Sequence, residues 1–349
     1  MTLAIIGDIG GTSMKLALLD ASGAIRARHD GPGANLRSAI TPAEFAAALG
    51  AGIDALLAGE DAAAVELVYL AVTGAGGAGR AKVQEAAEAG LARSVLARGA
   101  GGAGGEAAAA GTVPLMLTDD IAAAFLANEA GHATGVLALA GTGAIQAAIC
   151  DSQLVRRTDG LGWVLGDVGS GTWLGQQVLR AVAADLDGTG EATELTPRLL
   201  AMLEIAADTQ ALIASIDSLP PASWGRFARI WSEVLAADTG GEDSVAARIL
   251  REASDRIARG IALCARELRE RGVAGPLPLV WAGGVATRCA PLRAAVIERV
   301  ERGGGEGAGR SGSEDVGGGS DGVELIEVAA REPLYGVAGL AAAELRRRD

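Results

Sequence analysis

Carboxylates and hydroxyls beside glycine-rich turns are the side chains of this 349-residue chain whose type and spacing suit chemistry. The stretch DIGGTS, at 8–13, follows an apolar run. Its glycines allow backbone amides to face a concave turn, and Thr12 and Ser13 add hydroxyl donors, which together suit phosphate oxygens. Asp8 can orient hydrated magnesium, because this ion prefers oxygen ligands and keeps part of its water shell. An ordinary β-hairpin, in which the two glycines only supply the turn conformation, is the alternative.

A second turn, AGTGA at 140–144, repeats the order of strand, glycine, threonine and strand, with Thr142 in the place of Thr12. Two such turns can bind neighbouring phosphates. Upstream, the run LTDD ends a predicted strand with Asp119 and Asp120 and leads into a predicted helix. A carboxylate there can take a proton from an attacking hydroxyl. Either aspartate can instead cap the helix.

The segment TDGLGWVLGDVGSGTWLGQQ, at 158–177, interleaves glycines with large apolar residues, a pattern too ordered for a linker. A Gly-Asp-x-Gly-Ser run before an apolar helix directs Asp167 and backbone amides at a polyhydroxyl or phosphate group, with Ser170 as a helix cap. A tight packing loop is the alternative.

Two common nucleotide motifs are not indicated. The run GAGGAG, at 74–79, matches the dinucleotide fingerprint GxGxxG, but 52 of the 349 residues are glycine, so a chance match is expected. No acid follows at the spacing that a ribose requires, and we interpret the run as a strand-to-helix loop. The P-loop pattern GxxxxGK[ST] does not occur in the sequence.

Composition narrows the class of protein. A net charge of −13 argues against nucleic acid or an acidic membrane as a partner. Cys150, Cys264 and Cys289 lie far apart, which argues against a disulfide framework, a zinc site or an iron–sulfur cluster. The sequence has no signal-peptide pattern and no long apolar run. We therefore expect a cytoplasmic protein with no membrane partner.

The elements that must position these residues alternate between strand and helix, which predicts an α/β fold. LAIIGD, MKLALLD and AIRARHD predict three strands joined by tight turns, and a helix, a buried strand and another helix follow. The same order recurs from residue 113, which suggests two related lobes that face one cleft. The Gly/Ser/acid-rich run at 302–322 predicts a mobile surface loop.

In this order, the motifs DIGGTSMK, TDDIAAA, AGTGA, DGLGWVLGDVGSG and VWAGGVA resemble those of the N-acetylglucosamine kinase group in the BadF/BadG/BcrA/BcrD ATPase family. That family lies within the actin-like sugar kinase superfamily. The resemblance implies an α/β fold with two ribonuclease-H-like (actin-like ATPase) lobes and a central interdomain cleft. The implied N-terminal lobe is 1–118, completed by a helix at 334–349, and the implied C-terminal lobe is 119–333.

The resemblance also implies an ATP-dependent sugar kinase, which phosphorylates N-acetylglucosamine or glucosamine at the 6-hydroxyl. Asp120 matches the family's catalytic base better than Asp119 does, and Asp8 is the implied magnesium ligand. The implied nucleotide-binding residues are Gly10, Gly11, Thr12, Ser13, Lys15, Gly141, Thr142, Gly143, Gly283 and Gly284. The implied sugar-binding residues are Asn35, Gly162 and Asp167.

Three positions depart from the family pattern. Val168 stands where glutamate is common, Ala144 where serine is usual, and Ile9 where a third glycine is frequent. Ile9 makes the first turn look like that of ROK glucokinases, but their CxCGxxGCxE zinc motif does not occur in this sequence. The alternatives are an ATPase that energises a partner enzyme and a non-catalytic sugar or nucleotide sensor. A homodimer is the expected assembly, as the commonest one.

Overall fold

Two α/β units make up the chain in a computed structural model, which describes residues 2–11, 13–34, 36, 40–76, 79–98, 113–217, 219–237, 244–303 and 323–348. The strands are β1 (Leu3–Ile9), β2 (Ser13–Asp20), β3 (Ile25–Pro32), β4 (Val65–Val72), β5 (Leu115–Thr118), β6 (Gly135–Ala140), β7 (Ala144–Cys150), β8 (Gln153–Asp159), β9 (Leu277–Ala282) and β10 (Leu325–Val328). The helices are α1 (Pro42–Leu56), α2 (Arg80–Arg93), α3 (Val95–Arg98), α4 (Asp120–Leu126), α5 (Gly171–Leu186), α6 (Leu195–Leu203), α7 (Thr209–Ile216), α8 (Ala228–Ala236), α9 (Val245–Glu270), α10 (Gly284–Arg288), α11 (Ala290–Glu301) and α12 (Pro333–Arg348).

The first unit comprises Met1–Ala133, Ser152–Leu154 and Ala329–Asp349. Its sheet has the order β3-β2-β1-β4-β5, in which β1 pairs antiparallel with β2 and parallel with β4, and β4 pairs parallel with β5. This compact unit continues past the lobe boundary at 118/119 that the resemblance implies, and it takes in α4.

Apolar side chains cover both faces of this sheet, because β1 and β2 are buried along nearly their whole length. One face packs against α1 and α2. The other face packs against α12, through Leu334, Val337, Ala341 and Leu345. Helix α1 begins at a capping box, in which Thr41 and Glu44 satisfy each other's backbone amides.

The second unit comprises Thr134–Asp151 and Val155–Val328. Its sheet has the order β10-β9-β6-β7-β8, in which β6 pairs antiparallel with β7 and parallel with β9. A large apolar core joins this sheet to α5, α8, α9 and α11. Ser170 caps α5 and Ser244 caps α9, each by accepting a hydrogen bond from a backbone amide three residues ahead.

The prediction of an α/β fold with two lobes is confirmed. The predicted strand pairs around both glycine turns are present as β1/β2 and β6/β7. The predicted loop at 302–322 lies almost wholly outside the described residues, as do Thr12 and Asn35. Among the helices of the described part, none is long and apolar enough to cross a bilayer.

Two glycines of α12 give a matched test of how this helix packs. A Cβ at Gly336 would overlap the backbone of α4, since it would lie 2.9 Å from the amide nitrogen of Ala127, whereas a Cβ at Gly339 meets nothing within 4 Å. We expect Gly336→Ala to lower the free energy of unfolding by about 1–3 kcal/mol, through overpacking. Gly339→Ala is expected to raise it by up to about 1 kcal/mol, through helix propensity. Urea denaturation measures both, and equal effects of the two variants would contradict the close packing of α12 on α4.

Candidate functional site

Three parallel strands bring the candidate residues of the first unit to one sheet edge. Asp8 lies near the end of β1, Thr73 directly follows β4, and Asp119 directly follows β5. Because β1, β4 and β5 pair in parallel, their carboxyl ends meet at the same edge. Ligands of open α/β sheets bind at such edges.

The two neighbouring aspartates at 119 and 120 have different partners. Asp119 accepts a hydrogen bond from the backbone amide of Ile121 at 2.9 Å, so it is the N-cap of α4. Asp120 is the first residue inside the helix, and its Oδ2 accepts a hydrogen bond from Oγ1 of Thr73 at 2.6 Å. The capping role therefore falls to Asp119, and Asp120 takes no part in the cap.

Burial raises the pKa of Asp120 to about 6, against the lowering effect of the Thr73 hydrogen bond. The charges of Asp119 and Asp8 raise that pKa further. Burial also raises the pKa of Asp8 to about 6; Lys15 lowers it and Glu332 raises it. Acids with a raised pKa at the end of parallel strands are typical of catalytic sites.

The donors at this edge fit magnesium bound together with phosphates. The described residues contain no group of three or more histidines, cysteines, aspartates or glutamates that could hold a metal ion. Magnesium does not require such a cage, because it usually takes one or two carboxylates and completes its shell with water and phosphate oxygens. Asp8 provides one buried carboxylate of this kind.

The first glycine turn lies beside Thr73. The amide of Gly10 donates to the carbonyl of Ser13 at 2.9 Å, which closes the hairpin between β1 and β2. A Cβ at Gly10 would lie 3.9 Å from Oγ1 of Thr73, so the turn and the Asp120 carboxylate share this hydroxyl as a neighbour. Further along β2, Nζ of Lys15 pairs with Oε2 of Glu332 at 3.0 Å.

In the second unit, the glycine turn at 141–143 fixes the start of α5. The amide of Gly141 donates to the carbonyl of Gly143 at 2.8 Å, and the amide of Gly171 donates to the carbonyl of Gly141 at 2.7 Å. Oγ1 of Thr172 donates to the carbonyl of Thr142 at 2.8 Å, while the Thr142 side chain is exposed. The turn and the N-terminus of a sixteen-residue helix are thus held together by hydrogen bonds.

A third glycine turn, after β9, contacts the turn at 141–143. Gly283 adopts a φ of +84°, and a Cβ there would lie 2.5 Å from the carbonyl oxygen of Ala140 and 2.7 Å from the amide nitrogen of Gly141. A side chain at 283 is therefore excluded by both sterics and backbone conformation. The parallel pairing of β6 and β9 places these two turns side by side.

Asp167 joins the long glycine-rich loop to the turn at 141–143. Its carboxylate accepts hydrogen bonds from the backbone amides of Gly162 and Ala144, and its Oδ2 lies 3.0 Å from where a Cβ on Gly143 would stand. Burial raises the pKa of Asp167. The predicted sugar-binding residues Gly162 and Asp167 therefore lie beside the predicted phosphate turn.

A residue that the sequence analysis missed, Asp159, shapes this loop. Its carboxylate accepts hydrogen bonds from the backbone amides of Asp167, at 2.6 Å, and Val168, at 3.1 Å. Asp159 and Asp167 both adopt left-handed φ values, of +64° and +56°. Asp159 thus stabilises the strained backbone conformation that sets the orientation of the Asp167 carboxylate.

The apolar residues of the loop divide into two sets. Trp173 and Leu174 are buried in the core. Leu161, Trp163 and Leu165 are exposed, and Trp163 packs edge-to-face on Trp224 with ring centroids 5.6 Å apart.

Within each unit, the structure collects most of the predicted residues. The first unit brings together Asp8, Gly10, Gly11, Ser13 and Asp120, with Lys15 on the adjoining strand. The second unit brings together Gly141, Thr142, Gly143, Gly162, Asp167, Gly283 and Gly284. Thr12 and Asn35 lie outside the described residues. Thr73 and Asp159 were missed, although each follows or ends a strand next to a glycine, a signal that could have found them.

Comparisons with known proteins identify a family and relatives for this chain. A family model described as the BadF/BadG/BcrA/BcrD ATPase family matches residues 7–308. An N-acetyl-D-glucosamine kinase of Dictyostelium discoideum is 31% identical over 112 residues, which are 32% of this chain and 35% of that protein. The chain thus matches about a third of the length of that curated relative.

Solved structures show the same fold. Candidate N-acetylglucosamine kinases from Chromobacterium violaceum and Porphyromonas gingivalis give TM-scores of 0.65 and 0.67, at 22% and 19% identity. They cover 97% and 99% of this chain, and 98% and 100% of their own chains are matched. A ROK family glucokinase from Streptomyces griseus, solved with glucose and AMPPNP, gives 0.52 at 17% identity, over 99% of this chain and 100% of its own. The predicted fold class is confirmed.

The buried charge of Asp120 predicts a stability effect with a definite pH dependence. The rise in the pKa of this carboxyl from the ordinary 3.8 to about 6 corresponds to about 3 kcal/mol of destabilisation when it is ionised. Because the folded pKa lies above the unfolded one, the carboxyl's stabilising contribution is complete only below about pH 4 and is lost as the pH rises from there through about 6. We expect Asp120→Asn to raise the melting temperature at pH 7.5.

The same variant should gain clearly less at pH 4.5, where the folded wild-type carboxyl is protonated and only the unfolded chain gains stability by ionising it. Asp208→Asn is the control, because Asp208 caps α7 by accepting a hydrogen bond from the backbone amide of Ala211, and asparagine caps a helix as well as aspartate does. Thermal scans at the two pH values measure the effect, and a stabilisation by Asp120→Asn that is equal at both would contradict the role of charge burial.

Proposed function

The chain belongs to the BadF/BadG/BcrA/BcrD ATPase family, and on this basis we propose that it is an ATP-dependent sugar kinase acting on an amino sugar. N-acetylglucosamine, or glucosamine, is the proposed acceptor, phosphorylated at the 6-hydroxyl. The observation that carries the proposal is Asp120, a buried carboxylate with a pKa of about 6 at the end of parallel strands, beside Asp8 and the first glycine turn.

In the proposed reaction, Asp120 is the general base. At neutral pH it is ionised, since its pKa is about 6, and it accepts the proton of the attacking hydroxyl. Thr73 donates a hydrogen bond to Oδ2 and so restrains the carboxylate. Phosphoryl transfer requires little other covalent chemistry from the protein, because positioning and electrostatic stabilisation supply most of the catalysis.

The glycine turns are the proposed phosphate-binding elements. The exposed hydroxyl of Thr142 and the ammonium of Lys15 supply hydrogen-bond donors and positive charge for phosphate oxygens. The absence of side chains at Gly141 and Gly283 lets the nucleotide approach the backbone. Magnesium held by Asp8 and phosphate oxygens would neutralise the charge that the transferred group carries.

Asp167 and Gly162 are the proposed sugar contacts, with Asn35 as a third. Asp167 has the chemistry for this role, since a carboxylate accepts hydrogen bonds from sugar hydroxyls. Val168, next to it, offers no polar atom in its side chain, so recognition of the amino-sugar substituent must rest on other groups. The choice of N-acetylglucosamine draws on the curated relative and on the candidate kinases of the same fold.

We further propose that the enzyme is a cytoplasmic homodimer. The three free cysteines, Cys150, Cys264 and Cys289, support a reducing compartment. Symmetric dimers are the commonest assembly of soluble enzymes, and this base rate supports the dimer.

The proposed function predicts that Asp120→Asn abolishes sugar phosphorylation but not nucleotide binding. An assay of ADP release over glucosamine, N-acetylglucosamine, N-acetylmannosamine, N-acetylmuramic acid and glucose identifies the acceptor. With that sugar, we expect kcat of the variant to fall by at least about a hundredfold, because general-base catalysis contributes about 10²–10⁴-fold. ADP affinity, measured by calorimetry, should not change.

Asp119→Asn serves as the control, and it should keep near-wild-type activity. Full activity of Asp120→Asn would refute the assignment of the base. ATP turnover that no sugar stimulates would favour the alternative of an ATPase that energises a partner enzyme.

The hydrogen bond from Thr73 predicts a shift in the pH profile. The wild-type kcat/KM for the sugar should fall below about pH 6, because protonated Asp120 cannot accept a proton. Thr73→Val removes a hydrogen bond that lowers the pKa of Asp120, so the acidic limb should move to higher pH. Thr73→Ser keeps the hydroxyl and should keep the wild-type profile. Identical limbs in the valine and serine variants would show that Thr73 does not tune this carboxylate.

A further inference from the structure

The side chain of Arg288 lies against Gly284, in the turn that follows β9. Arg288 is the last residue of α10, and Gly284 is the first. The three heavy atoms nearest to a Cβ built on Gly284 all belong to the Arg288 guanidinium; Nη2 is the closest, with Cζ at 3.0 Å and Nη1 at 3.4 Å. In the rigid geometry of a guanidinium, these distances place the Cβ above the plane of the group. One face of the guanidinium therefore fills the space that a side chain at 284 would occupy.

Arg288 has no polar partner among the described residues. No hydrogen bond or ion pair within that part of the chain engages its guanidinium, although the residue is exposed and the net charge is −13. Other arginines nearby are engaged: Arg293 donates to the carbonyls of Ala286 and Thr287, and Arg299 pairs with Asp255. The contact with Gly284 thus holds the Arg288 side chain without satisfying its charge.

Arg288 lies close to the glycine turn at 141–143. A Cβ on Gly141 would lie 3.7 Å from Cα of Gly283 and 3.9 Å from the amide nitrogen of Gly284, so Arg288 stands next to the turn proposed to bind phosphates. A planar, delocalised cation with one face on glycine and the other open to solvent is suited to stack on an aromatic base.

We propose that Arg288, seated on Gly284, stacks on the purine base of the nucleotide and contributes to its affinity. This inference rests on the proposed function, because it requires that the glycine turns of the second unit bind a nucleotide. Arg288 acts on the base, so its effect should be independent of the phosphates.

The substitution Gly284→Ala is a second way to prevent the Arg288 guanidinium from stacking on the base. Gly284 does not have a left-handed φ, and an added methyl group would first meet Arg288, the far end of a flexible side chain. Alanine at this position is therefore compatible with the fold and displaces the guanidinium. If the two residues act as a pair, their substitutions should not be additive.

The test is calorimetric titration of the intact protein, without sugar, with ADP, AMP and inorganic tripolyphosphate. We expect Arg288→Ala and Gly284→Ala each to weaken ADP and AMP binding about tenfold, which equals about 1.4 kcal/mol, and to leave tripolyphosphate affinity unchanged. The double variant should be no weaker than either single one. Arg288→Lys should recover only part of the loss, because an ammonium cannot stack as a plane.

Arg180→Ala is the matched control, because Arg180 is an exposed arginine on α5 that likewise has no polar partner among the described residues. It should bind all three ligands as the wild type does. Wild-type ADP affinity in Arg288→Ala would overturn the inference, and so would an equal loss of tripolyphosphate affinity, which would assign Arg288 to the phosphates. A wild-type protein that binds neither ADP nor tripolyphosphate would instead refute the proposed function itself.

Discussion

Parallel pairing of neighbouring strands decides where the chemistry of this protein can lie. In the first unit, β1, β4 and β5 run in one direction, so Asp8, Thr73 and Asp120 reach the same sheet edge from three distant parts of the chain. In the second unit, the parallel pairing of β6 and β9 sets Gly141 against Gly283. The register is constrained by the close packing of side chains on both faces of the first sheet. A slip of one residue in β1 would turn its apolar residues, and Asp8 with them, to the opposite faces.

The fold also requires backbone segments to contact each other closely where strands and helices meet, and glycine makes this contact possible. The second unit uses it at Gly283, where any side chain would collide with the end of β6. The loop at 159–169 solves a related problem in another way, since Asp159 holds two backbone amides and stabilises left-handed aspartates rather than glycines. Strain of this kind is characteristic of residues whose orientation matters more than their contribution to stability.

Much of this could be predicted from the sequence, because strand and glycine-turn patterns are local. The hairpins at both glycine turns, the helix at 42–56 and the buried strand at 65–72 follow from spacing alone. The sequence could not separate Asp119 from Asp120, since both suit a helix cap and the difference lies in the Thr73 hydroxyl, 47 residues away. Nor could it reveal that the carboxylate of Asp167 accepts a hydrogen bond from the backbone amide of Ala144. Such contacts depend on the distance between chain segments, which residue types do not encode. The extent of the first compact unit also differs from the lobe boundary at 118/119, because α4 packs with α12.

Helix α12 has a consequence for biosynthesis. It covers a face of the first sheet formed in part by Ala4, Ile6, Leu67 and Ala71, yet it is made of residues 333–348, which leave the ribosome after the whole of the second unit. Domains usually mature in the order in which they are translated. In this protein the order is inverted. The strands of the first sheet are translated early, but one of its apolar faces stays uncovered until α12 is made. The second unit can fold before that point. The segment that carries Asp120 therefore reaches its final packing only after α12 has been translated.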